Sequence, residues 1–250
     1  MNKFTRRTVI AAACAAAAMT FGPMSFAQQA PEKKDVTIAV GGKSLYYYLP
    51  LSIAEQLGYF KDEGLNVKIV DFQGGSRSLQ AVVGGSADVV SGAFEHTISM
   101  QAKKQPMTAF VLQGRAPQLA LVVSNKTMKD YKQLSDLKGK KVGVTAPGSS
   151  SQMVANFILK KGGLGPKDVA FIGVGSSSGA VSAIRSGQID ALINLDPVIT
   201  ILLKNGDAKL VADTRKVKES ESFFGGTMPA GCLYAPVSFI EKNPQTVQAL

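Results

Sequence analysis

The sequence is poor in the residues that most catalytic and metal sites require. It contains two cysteines, Cys14 and Cys232, and a single histidine, His96. A cysteine metal cluster is therefore excluded, and a histidine metal site or a Ser-His-acid triad would depend on His96 alone. A nucleotide-binding Gly-x4-Gly-Lys-Ser/Thr loop and a dinucleotide fingerprint are also absent. We expect no enzymatic activity, no cofactor and no bound metal.

The positive charge of the chain is considerable but not concentrated. There are 28 Lys and Arg residues against 18 Asp and Glu residues, a formal net charge of +10. At most two cations are adjacent, and no basic stripe alternates with aromatic residues, as a nucleic-acid-binding surface would require. We expect no nucleic-acid partner. A cationic soluble surface is the simplest interpretation, and an anionic membrane or an anionic ligand remains open.

The first 27 residues have the pattern of an export signal. Lys3, Arg6 and Arg7 form a basic start, an apolar run follows from Thr8 to Phe21, and 25–27 offers a small-x-small cleavage site. The apolar run is too short for a bilayer-spanning helix. We predict a signal peptide at 1–27 and a periplasmic mature protein, exported by the Sec or the twin-arginine route.

One pattern occurs twice in the remaining chain. Residues 81–90 recur as residues 183–192: an apolar helix ends at a Gly, an Asp follows, and an apolar strand begins. The strand-to-loop segment at 38–44 is similarly echoed at 142–150. Asp88 and Asp190 occupy matching places and are expected to cap a turn, one in each half. The repeat predicts two similar α/β lobes with a ligand held between them.

Alternating strand and helix patterns define the fold class. They favour an α/β protein of two similar lobes, each with a mostly parallel sheet, around an interlobe ligand cleft. The predicted divisions are a first lobe at 35–124, a second lobe at 125–225 and a return to the first lobe at 226–250. The polar, Lys-rich segment 124–133 is the predicted crossing between the lobes.

The most specific local site is the loop 147–151, Pro-Gly-Ser-Ser-Ser. Glycine allows close approach to a ligand, while a helix that starts here offers free N–H groups, hydroxyls and the positive end of its dipole to an anion. In the alternative interpretation, Ser150 only caps the helix. The serines of 175–178 are chemically similar. Gly75-Ser76 repeats the same arrangement after the second strand of the first lobe.

Other candidate residues follow the ends of predicted strands. At least one of the three tyrosines 46–48 is expected to line the cleft, because neighbouring side chains point in different directions. His96 is more typical of a structural or ligand-orienting residue, and Arg115 either contacts an oxyanion or ends a solvated strand. The complete predicted ligand-binding set is Lys43, Ser44, Tyr46, Gly75, Ser76, Phe94, Glu95, His96, Arg115, Ser149, Ser150, Ser151 and Asn194.

Two longer segments carry a family resemblance. Residues 52–67 (SIAEQLGYFKDEGLNV) resemble the signature of periplasmic substrate-binding proteins for nitrate, sulfonate and taurine ABC transporters. Residues 136–144 (DLKGKKVGV), together with 147–151, are similar to the second-lobe opening of that family. The resemblance covers 36–250. It implies a monomer of the periplasmic binding protein type II-like fold that closes on a small solute and presents it to an inner-membrane ABC permease.

The resemblance also implies differences and alternatives. Members of the family usually continue with further helices beyond a position like Leu250, so we expect that the chain is C-terminally incomplete. The same fold resembles pyrimidine-precursor synthases of thiamine biosynthesis, which use pyridoxal phosphate and a cysteine-rich run that is absent here. A solute-sensing role is a third possibility. The solute is expected to be a small oxyanion, and a neutral aromatic compound stays open.

Overall fold

The computed structural model describes residues 29–250, and Pro31–Leu250 forms one compact unit. The predicted signal peptide, 1–27, lies outside the described residues. Within 29–250, no helix combines the length and the apolar character needed to span a bilayer. The unit is an α/β fold with two separate five-stranded sheets, which confirms the predicted fold class.

The first sheet has the strand order β2-β1-β3-β10-β4. β1 pairs in parallel with β2 and β3, whereas β10 runs antiparallel to both β3 and β4. β1 is mostly apolar, and its residues Ile38, Ala39 and Val40 are fully buried, as expected for a parallel strand covered by helices on either side. The strands are β1 (Asp35–Val40), β2 (Asn66–Asp71), β3 (Val89–Ala93), β4 (Met107–Leu112) and β10 (Gly231–Pro236).

The second sheet repeats this arrangement with the order β7-β6-β8-β5-β9. β6 pairs in parallel with β7 and β8, and β5 runs antiparallel to both β8 and β9. Position by position, the two sheets therefore have the same strand directions. The strands are β5 (Ala120–Ser124), β6 (Lys141–Val144), β7 (Ala170–Gly173), β8 (Ala191–Asn194) and β9 (Ala208–Asp213).

The antiparallel strands β5 and β10 show where the chain passes between the lobes. β5 follows the first-lobe strands in sequence but pairs in the second sheet, and β10 follows the second-lobe strands but pairs in the first. The first crossing therefore lies at 113–119 and not at 124–133, so β5 belongs to the second lobe. The prediction that the first lobe extends to residue 124, and so includes β5, is therefore wrong. An apolar strand buried on both faces fits either sheet, and only its pairing partners decide its place.

Helices cover the sheets and begin at the edge where most strands end. The loop between β1 and the first helix contains a 3-10 turn, Tyr46–Tyr48. The remaining helices are α1 (Leu49–Leu57), α2 (Tyr59–Asp62), α3 (Gly75–Val83), α4 (Glu95–Ala102), α5 (Ser150–Lys161), α6 (Ser178–Ser186), α7 (Val198–Lys204), α8 (Val217–Phe224), α9 (Val237–Lys242) and α10 (Pro244–Ala249).

The repeated aspartates occupy equivalent places in the two lobes. Asp88 Oδ2 accepts a hydrogen bond from the Thr37 N–H at 2.9 Å, next to the edge where β1 begins. Asp190 Oδ2 accepts one from the Lys141 N–H at 3.0 Å, at the start of β6. Each carboxylate thus connects the turn before the central strand of its sheet, β3 or β8, to the neighbouring parallel strand, β1 or β6. The aspartates stabilise the two sheets and lie at the opposite end from the cleft.

Candidate functional site

The two lobes meet at the carboxyl ends of their parallel strands, which is where open α/β sheets bind ligands. The Tyr46 N–H donates across this seam to the Asp196 carbonyl oxygen at 3.1 Å. A Cβ atom placed on Gly74 would lie 2.8 Å from the Cβ of Ala146 in the other lobe. One placed on Gly42 would collide with Ser176. Glycines on the first lobe thus permit the lobes to approach each other closely.

A chain of hydrogen bonds joins Ser76 to the 147–149 loop across the seam. The Ser76 N–H donates to Ser149 Oγ at 3.0 Å, and the Ser149 hydroxyl donates to Ser76 Oγ at 3.2 Å. The Ser76 hydroxyl in turn donates to the Pro147 carbonyl oxygen at 2.9 Å. We call Ser76, Pro147 and Ser149 the serine latch. Helix α3 of one lobe and helix α5 of the other begin at this latch.

The other two serines of the loop have different surroundings. Ser151 is buried, and its hydroxyl contacts the Thr145 N–H at 3.1 Å and Thr145 Oγ1 at 2.9 Å within the second lobe. Ser150 is the first residue of α5 and is half-buried. The helix cap position therefore falls on Ser149 rather than on Ser150. Capping does not occupy the Ser150 hydroxyl.

We expect Ser149→Ala to open the lobes. The substitution removes two hydrogen bonds of the serine latch, each worth about 1 kcal/mol, so the ratio of closed to open molecules should fall by roughly thirty-fold. Small-angle X-ray scattering would show a larger radius of gyration than for Ser186→Ala, in which the lost hydroxyl bond lies within α6. Identical scattering curves for both variants would mean that the latch does not hold the lobes together.

Glu95 and His96 lie behind the seam, where β3 passes into α4. Glu95 is 5% exposed and His96 is 2% exposed. Burial raises the pKa of the Glu95 carboxyl to about 7, and its own backbone N–H opposes this rise. Burial lowers the pKa of His96 to about 4, with the Gly148 carbonyl of the second lobe acting in the opposite direction. His96 is therefore neutral at pH 7, while Glu95 titrates near that pH.

Three buried polar atoms in this region have no hydrogen bond of good geometry among residues 29–250: Tyr47 Oη, Glu95 Oε2 and His96 Nε2, although the Gly148 carbonyl lies near enough to His96 to raise its pKa. The other ring nitrogen of His96, Nδ1, bonds to the Tyr234 hydroxyl at 2.8 Å. Burial and, to a smaller extent, the charge of Glu95 raise the pKa of the Tyr47 phenol well above its usual value, so the two groups are close enough to interact electrostatically. A buried polar group without a hydrogen bond lowers the stability of the fold, so its presence calls for a functional explanation.

A cavity of about 330 Å³ adjoins Tyr47 between the lobes. Its lining includes Tyr46 and Tyr47 of the first lobe, Arg115 of the first crossing, Asp196 of the second lobe and Arg215 of the second crossing. Arg215 is neutralised by Asp213 at 2.7 Å and Asp196 at 3.2 Å. Arg115 is exposed, and none of the ion pairs of the described chain includes it.

The remaining predicted residues contribute less to the cleft in this arrangement. Lys43 forms an ion pair with Glu55 at 2.8 Å, and Ser44 is exposed. Phe94 packs against the core of the first lobe. Asn194 is fully buried, donates from Nδ2 to the Gly175 carbonyl oxygen at 3.1 Å and accepts the Leu195 N–H at 2.9 Å. Their contact with a ligand stays a prediction.

Residues 175–179, Gly-Ser-Ser-Ser-Gly, have the Gly-x-Ser-x-Gly spacing of a hydrolase nucleophile elbow and lie between β7 and α6. That elbow needs a histidine base hydrogen-bonded to the serine. The one histidine of the sequence bonds to Tyr234 through Nδ1 and has an unpartnered Nε2, so it bonds to no serine in the described chain. The spacing therefore does not indicate a triad.

Sequence reasoning missed two members of this region. The predicted ligand-binding set includes Tyr46 but not Tyr47, because the sequence does not indicate which tyrosine of 46–48 points inward. Tyr234 belongs to β10, whose pairing partners β3 and β4 lie more than a hundred residues away in the chain. No local pattern connects Tyr234 with His96.

A family model described as NMT1/THI5-like matches residues 46–250. The chain belongs to the NMT1/THI5-like family. Its fold is that of periplasmic binding proteins of the sulfonate and nitrate type, as the sequence resemblance predicted. The alkanesulfonate-binding protein SsuA from Xanthomonas axonopodis pv. citri, solved with MOPS bound, has a TM-score of 0.68 at 21% identity. That comparison covers 87% of this chain and 70% of SsuA.

Two further comparisons come from bacteria. The solved structure of a protein from Bordetella bronchiseptica RB50 is 62% identical, with a TM-score of 0.87, and covers 88% of this chain and 70% of that one. YtlA of Bacillus subtilis (strain 168) is 25% identical over 249 residues. Its name describes it as a binding protein. This match covers 98% of this chain and 71% of YtlA.

The family also includes enzymes. The 4-amino-5-hydroxymethyl-2-methylpyrimidine phosphate synthase of Schizosaccharomyces pombe is 27% identical over 162 residues. That match covers 64% of this chain and 45% of the length of the synthase. Membership of the family therefore leaves both solute binding and catalysis to be weighed on the residues of the site.

Proposed function

We propose that the protein is the extracytoplasmic solute-binding component of an ABC importer. It captures a small anionic solute of the sulfonate, taurine or nitrate class between its lobes and presents the closed form to an inner-membrane permease. The proposal places the protein in the periplasm as a monomer. The observation that carries it is the seam: loops at the carboxyl ends of two equivalent sheets bond directly to each other, and buried polar groups lie behind them.

Two features support an anionic solute. Helices α3 and α5 direct their N-terminal ends toward the seam, and helix N-termini favour negative charge. Arg115 lines the interlobe cavity and has no carboxylate ion-pair partner within 29–250, whereas Arg215 in the same cavity is neutralised. A guanidinium group binds a sulfonate or carboxylate through two parallel hydrogen bonds.

The enzyme alternative has less support from the residues. A synthase activity is suggested by the family alone, and the resemblance to the synthases implies a cysteine-rich run. The one cysteine of the described residues is Cys232, which is buried in β10. Burial raises the pKa of this thiol to about 12, which leaves it protonated and unreactive at neutral pH. Solute sensing shares the binding step with transport, and retention of an ABC permease by the solute-loaded protein would separate the two roles.

We expect Arg115→Gln to weaken anion binding by roughly ten-fold or more, since one charge-assisted hydrogen bond contributes about 1.5–3 kcal/mol. Calorimetry with nitrate, methanesulfonate and 2-aminoethanesulfonate measures the loss. Lys216→Gln is the matched control, because it removes the same charge from an exposed side chain of the second crossing, which pairs with Glu219. If the parent protein binds none of these anions, the anionic class is wrong. If it retains no small molecule at all on purification without refolding, solute binding itself is contradicted.

A further inference from the structure

The unpartnered atoms behind the seam come from two separate places in the fold. Tyr47 lies in the turn after β1, and Glu95 and His96 open α4 after β3. All three residues are at least nine-tenths buried. Each has one unused hydrogen-bonding atom, although nearby groups such as Tyr48 and Tyr234 are paired. Such a group of unsatisfied atoms in one buried region is typical of a site that a ligand completes.

The protein itself supplies no cation for Glu95. None of the ion pairs within 29–250 includes this carboxylate, and no positive side chain is among the causes that set its pKa. The ionisable groups that feel its charge are the phenols of Tyr47 and Tyr234 and the thiol of Cys232, all of which are neutral at pH 7. A buried carboxylate without a partner is costly, so its pairing group must come from outside.

We propose that Tyr47, Glu95 and His96 form a recognition subsite for a nitrogen-bearing, hydrogen-bond-donating group of the solute, such as an amine, an amidine or an amino-substituted ring. This inference rests on the proposed solute-binding function and specifies its substrate class. Glu95 accepts the N–H of the solute, while the Tyr47 hydroxyl and His96 Nε2 hold a neighbouring polar atom. We call these three residues the Glu95 subsite.

The Glu95 subsite changes which anions fit the cleft. A simple inorganic oxyanion such as nitrate has no N–H to offer and would leave Glu95 unpaired beside a negative charge. A solute with an acidic group toward Arg115 and a donor nitrogen toward Glu95 satisfies both ends. Tyr47 contacts both regions, because its ring also lines the cavity that Arg115 shares. A solute of the same shape that lacks the N–H group would leave the Glu95 carboxylate unpaired. The site should therefore bind such a solute more weakly.

The test compares the parent, Glu95→Gln and Glu241→Gln proteins, all with the same purified full chain. Glutamine keeps the shape of the glutamate and removes its charge, and Glu241 provides the matched control because it is exposed in α9, away from the cleft. Each protein is mixed with a small-molecule extract of the producing cells, and bound masses are measured by native mass spectrometry and identified by fragmentation. Circular dichroism confirms that each variant is folded.

We expect the parent and Glu241→Gln to retain a solute with an N–H donor nitrogen and Glu95→Gln to retain at least ten-fold less of it. Among defined probes, 2-aminoethanesulfonate should bind the parent more tightly than propanesulfonate, and 4-aminopyrimidine more tightly than 4-methylpyrimidine, if either skeleton binds. A retained solute without an N–H group, or equal retention by folded Glu95→Gln, overturns the subsite and leaves solute binding intact. Retention of no solute by any of the proteins contradicts the proposed function, and the subsite falls with it.

Discussion

Raising the pH from 4 to 8 should change the stability of Glu95→Gln, measured relative to the parent protein, by about 3 kcal/mol in favour of the variant. The cause is the pKa of Glu95, which burial raises from 4.5 in the unfolded chain to about 7 in the folded one. Between these values the folded state binds more protons than the unfolded state, so the parent loses stability as the pH rises. Glutamine resembles the protonated acid at every pH and avoids this loss.

His96 provides a control of opposite sign. Burial lowers the pKa of its imidazole from 6.5 to about 4, so the unfolded state binds more protons in this range. The parent therefore gains stability from His96 as the pH rises from 4 to 6.5. As the pH rises from 4 to 6.5, the free energy of unfolding of a His96→Gln variant should therefore fall relative to that of the parent. In the parent, the two effects largely cancel between about pH 4.5 and 6.5.

Urea unfolding of the ligand-free proteins at a series of pH values measures both effects, with the free energy of unfolding taken from linear extrapolation. The other ionisable groups around Glu95, namely Tyr47, Cys232 and Tyr234, have pKa values raised above their ordinary ones and do not titrate in this range. If the difference between Glu95→Gln and the parent stays constant from pH 4 to 8, the carboxylate is either solvated or paired, and the Glu95 subsite loses its physical basis.

Much of the architecture could be predicted from the sequence because each lobe repeats one local pattern. Apolar strands that run into glycine-bearing loops and then into amphipathic helices identify β1, β3, β6 and β8 with little ambiguity. The place of β5 could not be predicted in the same way. It is a short apolar strand buried on both faces, so no alternation marks a preferred sheet, and its pairing depends on residues distant in the chain.

The candidate site was only partly predictable, for a related reason. The sequence predicts Ser76 and Ser149 as separate ligand contacts, and in the structure they also contact each other. The sequence reveals that a serine follows a strand but not what lies opposite it in the other lobe. Glu95 and His96 were selected from their position after β3. Their importance depends on burial and on the absence of partners within 29–250, which only the packed structure reveals.

The largest effect on closure is expected from Gly74→Ala. Gly74 has an extended backbone, with φ at 163°, so alanine adds no backbone strain there. The nearest atoms to the added methyl group belong to Ala146 and Ser149, which are both in the second lobe. At 2.8 Å from the Ala146 Cβ, the new methyl group overlaps with its neighbour only when the lobes are closed. The first lobe should therefore fold normally while closure becomes unfavourable.

Overpacking of this kind costs about 1–3 kcal/mol, which corresponds to a roughly ten- to hundred-fold loss of solute affinity if binding requires closure. Calorimetry measures the affinity for the retained solute, and small-angle scattering measures the opening. Gly226→Ala is the matched control, since a Cβ at that exposed glycine has no neighbour within 4 Å. The decisive variant is Gly74→Ala/Ala146→Gly, which moves the methyl group from one lobe to the other. Because the overlap disappears, this pair should recover closure and most of the affinity. A double variant as weak as Gly74→Ala alone would show that the overlap across the seam is not the cause.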